Sequence, residues 1–283
     1  MSEQQAAGMR PLAHEHLLLG ATLGEGAGCE DAPISYAGED AFDRAGCAVC
    51  DLTGLMIASI TGADAERFVN TAFAQPPEQI GEARTSAVLL GDGALASIAI
   101  VARTGDAEYL AFDLSARQDL LGEWLFWLST AEQEGVRAFP ACVVEDASEL
   151  LVPLLLAGDA SARVLGDYLA EGANLPAAGH IDSLELDGRP CLVMSAPVGE
   201  GNAFLVLVPP VFAVPFWRSL MSFPEVSPLG RTALDDLLAS GLSWWQLLGE
   251  TGKAFVGEDE LVRLGLARER GEYVGLRGLR QRG

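Results

Sequence analysis

The sequence predicts an α+β fold of antiparallel sheets covered by helices, with a central cavity where the sheets meet. Three observations predict it. Apolar runs of strand length punctuate the chain, at residues 57–61, 88–103, 109–114, 150–157 and 204–208. Between them lie segments whose apolar residues recur at helical spacing. A strand followed by glycine, an acid and a helix also recurs, twice clearly and once more weakly.

Residues 57–61 read as a strand, and Asp64 then caps a helix running to Ala74, with Phe68, Val69 and Ala72 on one apolar face. Residues 88–103 and 109–114 read as paired buried strands. Ser115 caps a long helix carrying Leu120, Leu121, Trp124, Leu125, Trp127 and Leu128, whose spacing assigns it to the core rather than to a cofactor site. Residues 150–157 repeat the first pattern, since Gly158 and Asp159 lead into SARVLGDYL; VGEDELVRLG is the weaker third copy. Residues 204–208 read as a strand that anchors the turn VGEGN, in which Gly199 and Gly201 flank Glu200 and allow close approach to a flat ligand.

With 283 residues, 49% of them hydrophobic, the chain is long enough for two packed subdomains and too apolar for global disorder. A formal charge of -22 disfavours nucleic acid and anionic membranes as partners. Residues 1–10 lack the apolar core of a secretion signal, and the apolar run at 150–157 is broken by Pro153 and too short for a bilayer, so a cytoplasmic location is expected. The 5 cysteines are expected to be reduced. Cys47 and Cys50 form one CxxC, and His14 and His16 lie near the start, but paired zinc-ligand spacing is missing and no metal is expected. His14 and His16 point to different sides of any regular element, which argues against a joint role. The C-terminal Arg268, Arg270, Arg277, Arg280 and Arg282 read as a solvated basic tail.

Several segments, in order, resemble the aminomethyltransferase family of the glycine cleavage T protein and its folate-binding relatives. PLAHEHLLLGA near the start, with Pro33 and Tyr36 after it, resembles that family's opening pattern. AGCAVCDLTGLMIASITGADAERFV is similar to its Ala-Gly-x-x-Asp-x-Ser-His-Met segment, strand and helix. VGEGNAF resembles Tyr-Thr-Gly-Glu-x-Gly-Tyr, and PLGRTALDDLLASGL resembles its arginine-bearing helix. The resemblance implies two intertwined T-protein-like subdomains, at residues 1–140 and 141–265, followed by the basic tail at 266–283. The third, barrel-like domain of the relatives is expected to be missing.

The resemblance further implies tetrahydrofolate as cofactor, with Glu200 reading the pterin edge and Arg231, Tyr36 and Leu55 completing the binding set. A small methylated or aminomethyl donor and a protein partner would accompany it. The departures matter as much. Ala96 and Ser97 occupy the family's paired Asp positions, and neither titrates near neutral pH. Thr53, Gly54 and Leu55 stand in place of Ser-His-Met, Thr85 in place of a tyrosine, and Leu237 and Ala239 in place of an Arg and a Glu. Two readings stand: one-carbon transfer with the acid supplied elsewhere, Asp51 and Asp92 being the candidates, or a catalytically degenerate member that serves as a folate-binding or partner subunit.

Overall fold

The computed structural model describes residues 10–24, 31–38, 43–115, 117–198, 202–248 and 255–282. Glu200 with its flanking Gly199 and Gly201, Cys29 and Lys253 lie outside the described residues. The chain forms two compact units, each discontinuous in sequence: the first is Met1–Gly54, Ser148–Ala178 and Asp182–Leu242, the second Leu55–Ala147, Gly179–Ile181 and Ser243–Gly283.

The first unit contains α1 (Ala13–Leu18), the paired β1 (Ala21–Leu23) and β2 (Pro33–Tyr36), and β3 (Cys47–Asp51). The second contributes β4 (Ile57–Thr61), α2 (Ala65–Ala72), β5 (Ala83–Leu89), β6 (Leu95–Gly105), β7 (Glu108–Phe112) and α3 (Gln118–Thr130). A two-residue ribbon, β8 (Glu132–Gln133) with β9 (Val136–Arg137), and β10 (Val143–Asp146) follow in the same unit. The chain then builds β11 (Val152–Ala157), α4 (Ser161–Gly166), β12 (Ile181–Leu186), β13 (Arg189–Ser195), β14 (Ala203–Val208) and α5 (Pro210–Leu220). Next come β15 (Val226–Pro228), α6 (Arg231–Gly241), a 3-10 turn (Trp245–Leu247), α7 (Glu258–Arg263) and α8 (Leu276–Arg282).

The two large sheets share one topology. In the second unit the order is β10-β4-β7-β6-β5, and in the first it is β3-β11-β14-β13-β12 with β15 added beyond β3. Each is a strand, a helix and a three-strand meander whose last strand returns beside the first, with a further antiparallel strand on the other side of that first strand. That further strand is exchanged in sequence. β3 immediately precedes β4 yet pairs with β11, whereas β10 immediately precedes β11 yet pairs with β4. The subdomains are therefore intertwined, as the sequence implies, and the fold is α+β with mostly antiparallel pairing. β15 alone among these pairs runs parallel, to β3.

The glycines that follow β4 and β11 fix this shared geometry. Gly62 has φ 108 and Gly158 has φ 119, in the left-handed half of backbone space that side chains avoid. Gly62 N–H donates to Ala107 O just before β7, and Gly158 N–H donates to Asn202 O just before β14. Two residues on, Asp64 N–H donates to Ala141 O and Ala160 N–H to Gly46 O, ahead of the exchanged strands. A Cβ at either glycine would run into that same carbonyl oxygen. Gly62→Ala and Gly158→Ala are each expected to cost about 3 kcal/mol, from left-handed strain plus the clash. A lowered urea midpoint with an unchanged slope is the expected readout. The third copy does not share this geometry: Gly257 has φ -62 and a Cβ there meets nothing.

Each unit has its own core. In the first, Trp217 and Phe216 of α5 pack with Leu12, Val49, Leu154 and Tyr168. In the second, Phe68, Phe73, Tyr109, Trp124 and Leu125 form the centre. Apolar spacing on α3 explains only half of that helix. Leu121, Trp124, Leu125 and Leu128 are buried, but Leu120 is 45% and Trp127 62% exposed, so those two do not belong to the core as the spacing suggested. The helix also starts later than expected, at Gln118; the Ser115 hydroxyl accepts the Arg117 N–H one turn upstream. Asp64 stands at the N-cap of α2, but its carboxylate binds Arg67 and the Ala141 N–H rather than the helix's own amides.

Arg270, Arg277, Arg280 and Arg282 are exposed, as a solvated segment would be, but Arg268, Arg280 and Arg282 also bond to the rest of their unit. Arg268 donates to the Phe73 and Asn70 carbonyls, Arg280 grips Glu258 through two bonds of 2.8 and 2.7 Å, and Arg282 reaches Asp92. Acidic side chains of the same unit thus pair with Arg280 and Arg282. The described cysteines, Cys47, Cys50, Cys142 and Cys191, are buried and unpaired by disulfides. Burial pushes the Cys47 and Cys191 thiols up to about 12, so they behave as small apolar side chains.

Candidate functional site

In the first unit, two of the sequence-derived residues meet through a third. Asp51 ends β3 and is 1% exposed. Its Oδ1 accepts the Thr53 N–H at 2.8 Å and the Thr53 hydroxyl at 2.5 Å, the Asx-type turn that an Asp-x-Thr sequence forms at a strand end. Its Oδ2 lies 2.8 Å from His16 Nε2. His16 Nδ1 lies 2.8 Å from the Tyr36 hydroxyl. A carboxylate can only accept, so Nε2 carries the shared proton; a neutral ring then accepts the Tyr36 O–H at Nδ1. The Trp217 ring meets His16 edge-on at 4.8 Å between centroids. Beside it, Glu15 of α1 grips Arg218 of α5 with bonds of 2.8 and 2.7 Å, which holds the Glu15 carboxyl below the usual range.

Arg231, also in the first unit, begins α6. Its N-cap Gly230 abuts β2, since a side chain there would strike the backbone at Ile34 and Ser35. The Arg231 Nε is buried and has no hydrogen-bond partner among the described residues. One turn along, burial raises the Asp235 carboxyl above the usual range against the pull of Arg231. The segment carrying Glu200 joins β13 to β14 in this same unit.

Leu55 and Asp92 belong to the second unit. Leu55 is 2% exposed. Asp92 sits in the turn between β5 and β6, where it accepts the Ala94 N–H at 3.0 Å and faces Arg282 at 3.4 Å. Ala96 and Ser97, at the family's acid positions, are both buried on β6. The Ser97 hydroxyl donates to Asp113 Oδ2 at 2.6 Å. Asp113, just past β7, also accepts the Ser115 N–H at 2.7 Å and the Ser115 hydroxyl at 2.9 Å. Asp113-Leu114-Ser115 thus repeats the turn made by Asp51-Leu52-Thr53.

Asp113 and His16 are the residues that sequence reasoning missed. The Asp-x-Ser spacing after an apolar strand signals the first; nothing local signals the second, whose partners lie 35 and 20 residues away. Burial raises the Asp113 carboxyl above the ordinary aspartate value, outweighing Ser97, Ser115 and Arg117, which lower it. A raised folded-state value means that its stabilisation is full below the ordinary value and lost as pH rises through the folded one. The stability difference between the natural chain and Asp113→Asn is therefore expected to shrink from about pH 4 to about pH 7. Urea titrations at both pH values check this, and a difference that grows with pH contradicts it.

A duplicated strand-helix-meander unit with exchanged strands defines the architecture. The model of the GCVT N-terminal domain matches residues 14–244, so the chain belongs to that family. Among solved structures, it is similar to the glycine cleavage system aminomethyltransferase T from Bartonella henselae, at 20% identity and TM-score 0.67 over 81% of this chain. The match spans 61% of the Bartonella protein's length. The chain is also similar to the heterotetrameric sarcosine oxidase from Corynebacterium sp. U-96, at 16% identity and TM-score 0.50, over 84% of this chain and 100% of that one. No curated protein matches it by sequence. Among the described residues no helix is long and apolar enough to cross a membrane, and no cluster of His, Cys, Asp and Glu could hold a metal ion.

Proposed function

We propose that this chain binds a tetrahydrofolate-type ligand in its first unit and serves one-carbon transfer from a small methylated or aminomethyl donor. The observation that carries the reading is Arg231, whose buried Nε–H has no acceptor among the described residues. A buried donor left unpaired costs free energy comparable to a lost hydrogen bond, and a folate offers ring carbonyl and carboxylate oxygens to satisfy it. Arg231 stands in the PLGRTALDDLL segment through which the chain resembles folate-binding T proteins. Glu200, carried by the β13–β14 connection of the same unit, is assigned to the pterin amine and ring N–H, which a carboxylate can bind in a fork. Tyr36, of the same unit, completes the set by the same resemblance; Leu55, which the resemblance also implies, falls in the second unit. Titration with tetrahydrofolate tests the reading: saturable binding that Glu200→Ala abolishes supports it.

A second reading is favoured by Ala96 and Ser97. The family's acids are absent there, and the Ser97 hydroxyl is committed to Asp113. On this reading the chain holds folate as a catalytically degenerate partner or regulatory subunit. Folate binding without turnover of any methylated amine donor selects it.

A further inference from the structure

The duplicated topology pairs β10 with β3, and α3, which follows β7, with α5, which follows β14. In the first unit, a short helix covers the place where that strand and helix meet. α1 sends His16 to Asp51 at the end of β3 and to Trp217 on α5, while Glu15 pairs with Arg218 on α5. Asp146 ends β10 as Asp51 ends β3. At the matching place in the second unit there is instead a groove of about 670 Å³ between α3 and β10. Asp119, Glu123, Phe126 and Trp127 line its helix side, and Glu145 and Asp146 its strand side.

Two features give this groove a chemistry. Its lining residues include four carboxylates and no Lys, Arg or His. Asp119, Glu123 and Glu145 make no ion pair among the described residues. Its apolar walls face outward: Phe126 is 60% and Trp127 62% exposed. Walls this open would bury a small molecule less completely than a dedicated pocket does. A longer amphipathic element can cover them. Gly122, in the middle of α3, is a poor helix former, and it leaves the space in which Met56 lies against the helix at the groove floor.

We propose that the groove between α3 and β10 docks a short basic amphipathic helix of a partner protein, in the place that α1 fills in the first unit. The partner's apolar face lies on Phe126 and Trp127. Its Arg or Lys side chains meet Asp119, Glu123 and Glu145, the reverse of the polarity in the first unit, where the helix brings the acid Glu15 to Arg218.

The test uses the full chain and a fluorescein-labelled synthetic peptide with Arg and Leu at helical spacing, followed by anisotropy at low salt. Three variants accompany it: the groove triple Asp119→Asn, Glu123→Gln, Glu145→Gln; the charge-matched control Glu171→Gln, Asp182→Asn, Glu185→Gln; and Trp127→Ala. The natural chain and the control triple are expected to bind alike. The groove triple and Trp127→Ala should each weaken binding by about tenfold or more, because they remove the paired charges and the aromatic anchor respectively. Equal weakening in the control triple would reduce the effect to general attraction by an acidic protein and overturn the proposal. Displacement of the peptide by tetramethylammonium at comparable concentration would overturn it in favour of a small-cation site. Absence of binding by the natural chain would overturn it as well.

Discussion

Asp51→Ala is expected to destabilise the first unit by about 3 kcal/mol or more, because it strips the acceptor from three donors in a dry environment. His16 Nε2, the Thr53 N–H and the Thr53 hydroxyl all converge on this one carboxylate, which is 1% exposed. His16 is fully buried and cannot turn to water. His16→Ala should cost a similar amount, since it leaves Asp51 and the Tyr36 hydroxyl without their shared partner and opens a hole beside Trp217. Because both changes break one network, the double variant should cost at least about 1 kcal/mol less than the sum. Urea denaturation of the four proteins measures that coupling, and simple additivity would show that the contact contributes nothing jointly. The network also bears on the sequence-derived candidacy of Asp51 as a catalytic acid. A carboxylate already holding three donors is built to fix the β3 end, the turn after it and α1 in one geometry.

The second large effect belongs to ligand binding. Arg231→Leu keeps an apolar stem at the start of α6 but removes the Nε–H that lacks an acceptor among the described residues. The natural chain should therefore lose little stability on this change, while tetrahydrofolate affinity should fall about tenfold to a hundredfold, the worth of one hydrogen bond to a charged donor. The contrast is the informative part. A structural arginine would lose stability and leave affinity intact, whereas a ligand-facing one does the reverse.

Much of the fold was legible because it rests on local chemistry. The strand Ile57–Thr61 lies where its apolar run placed it, and the glycines after β4 and β11 mark both strand-to-helix turns. Strand partners were not legible. β3 pairs with β11 and β10 with β4 across about a hundred residues of chain, and apolar alternation says which face is buried but not against which neighbour. On α3 Trp124 and Trp127 belong to one broad apolar face, so spacing could not separate buried Trp124 from exposed Trp127. The basic C-terminal segment read as solvated because its acceptors, the Phe73 and Asn70 carbonyls and Glu258, are set by tertiary approach alone.

The candidate site divides in the same way. Tyr36 and Asp51 stand out by motif position, but the histidine that joins them does not, because His14 and His16 cannot act together on one face. That geometric argument holds: His14 is exposed and His16 buried. It did not reach His16 acting alone with partners from β2 and β3. Asp113 is not legible from the vacant acid positions at Ala96 and Ser97 on β6, because the carboxyl bonded to Ser97 comes from just past the neighbouring strand.

Anaerobic calorimetry of tetrahydrofolate binding to the natural chain and to Glu200→Ala tests the central claim most directly. The account predicts saturable binding in the micromolar range by the natural chain, lost or weakened about a hundredfold by the substitution. No heat of binding from the natural chain, or equal binding by both proteins, would contradict it.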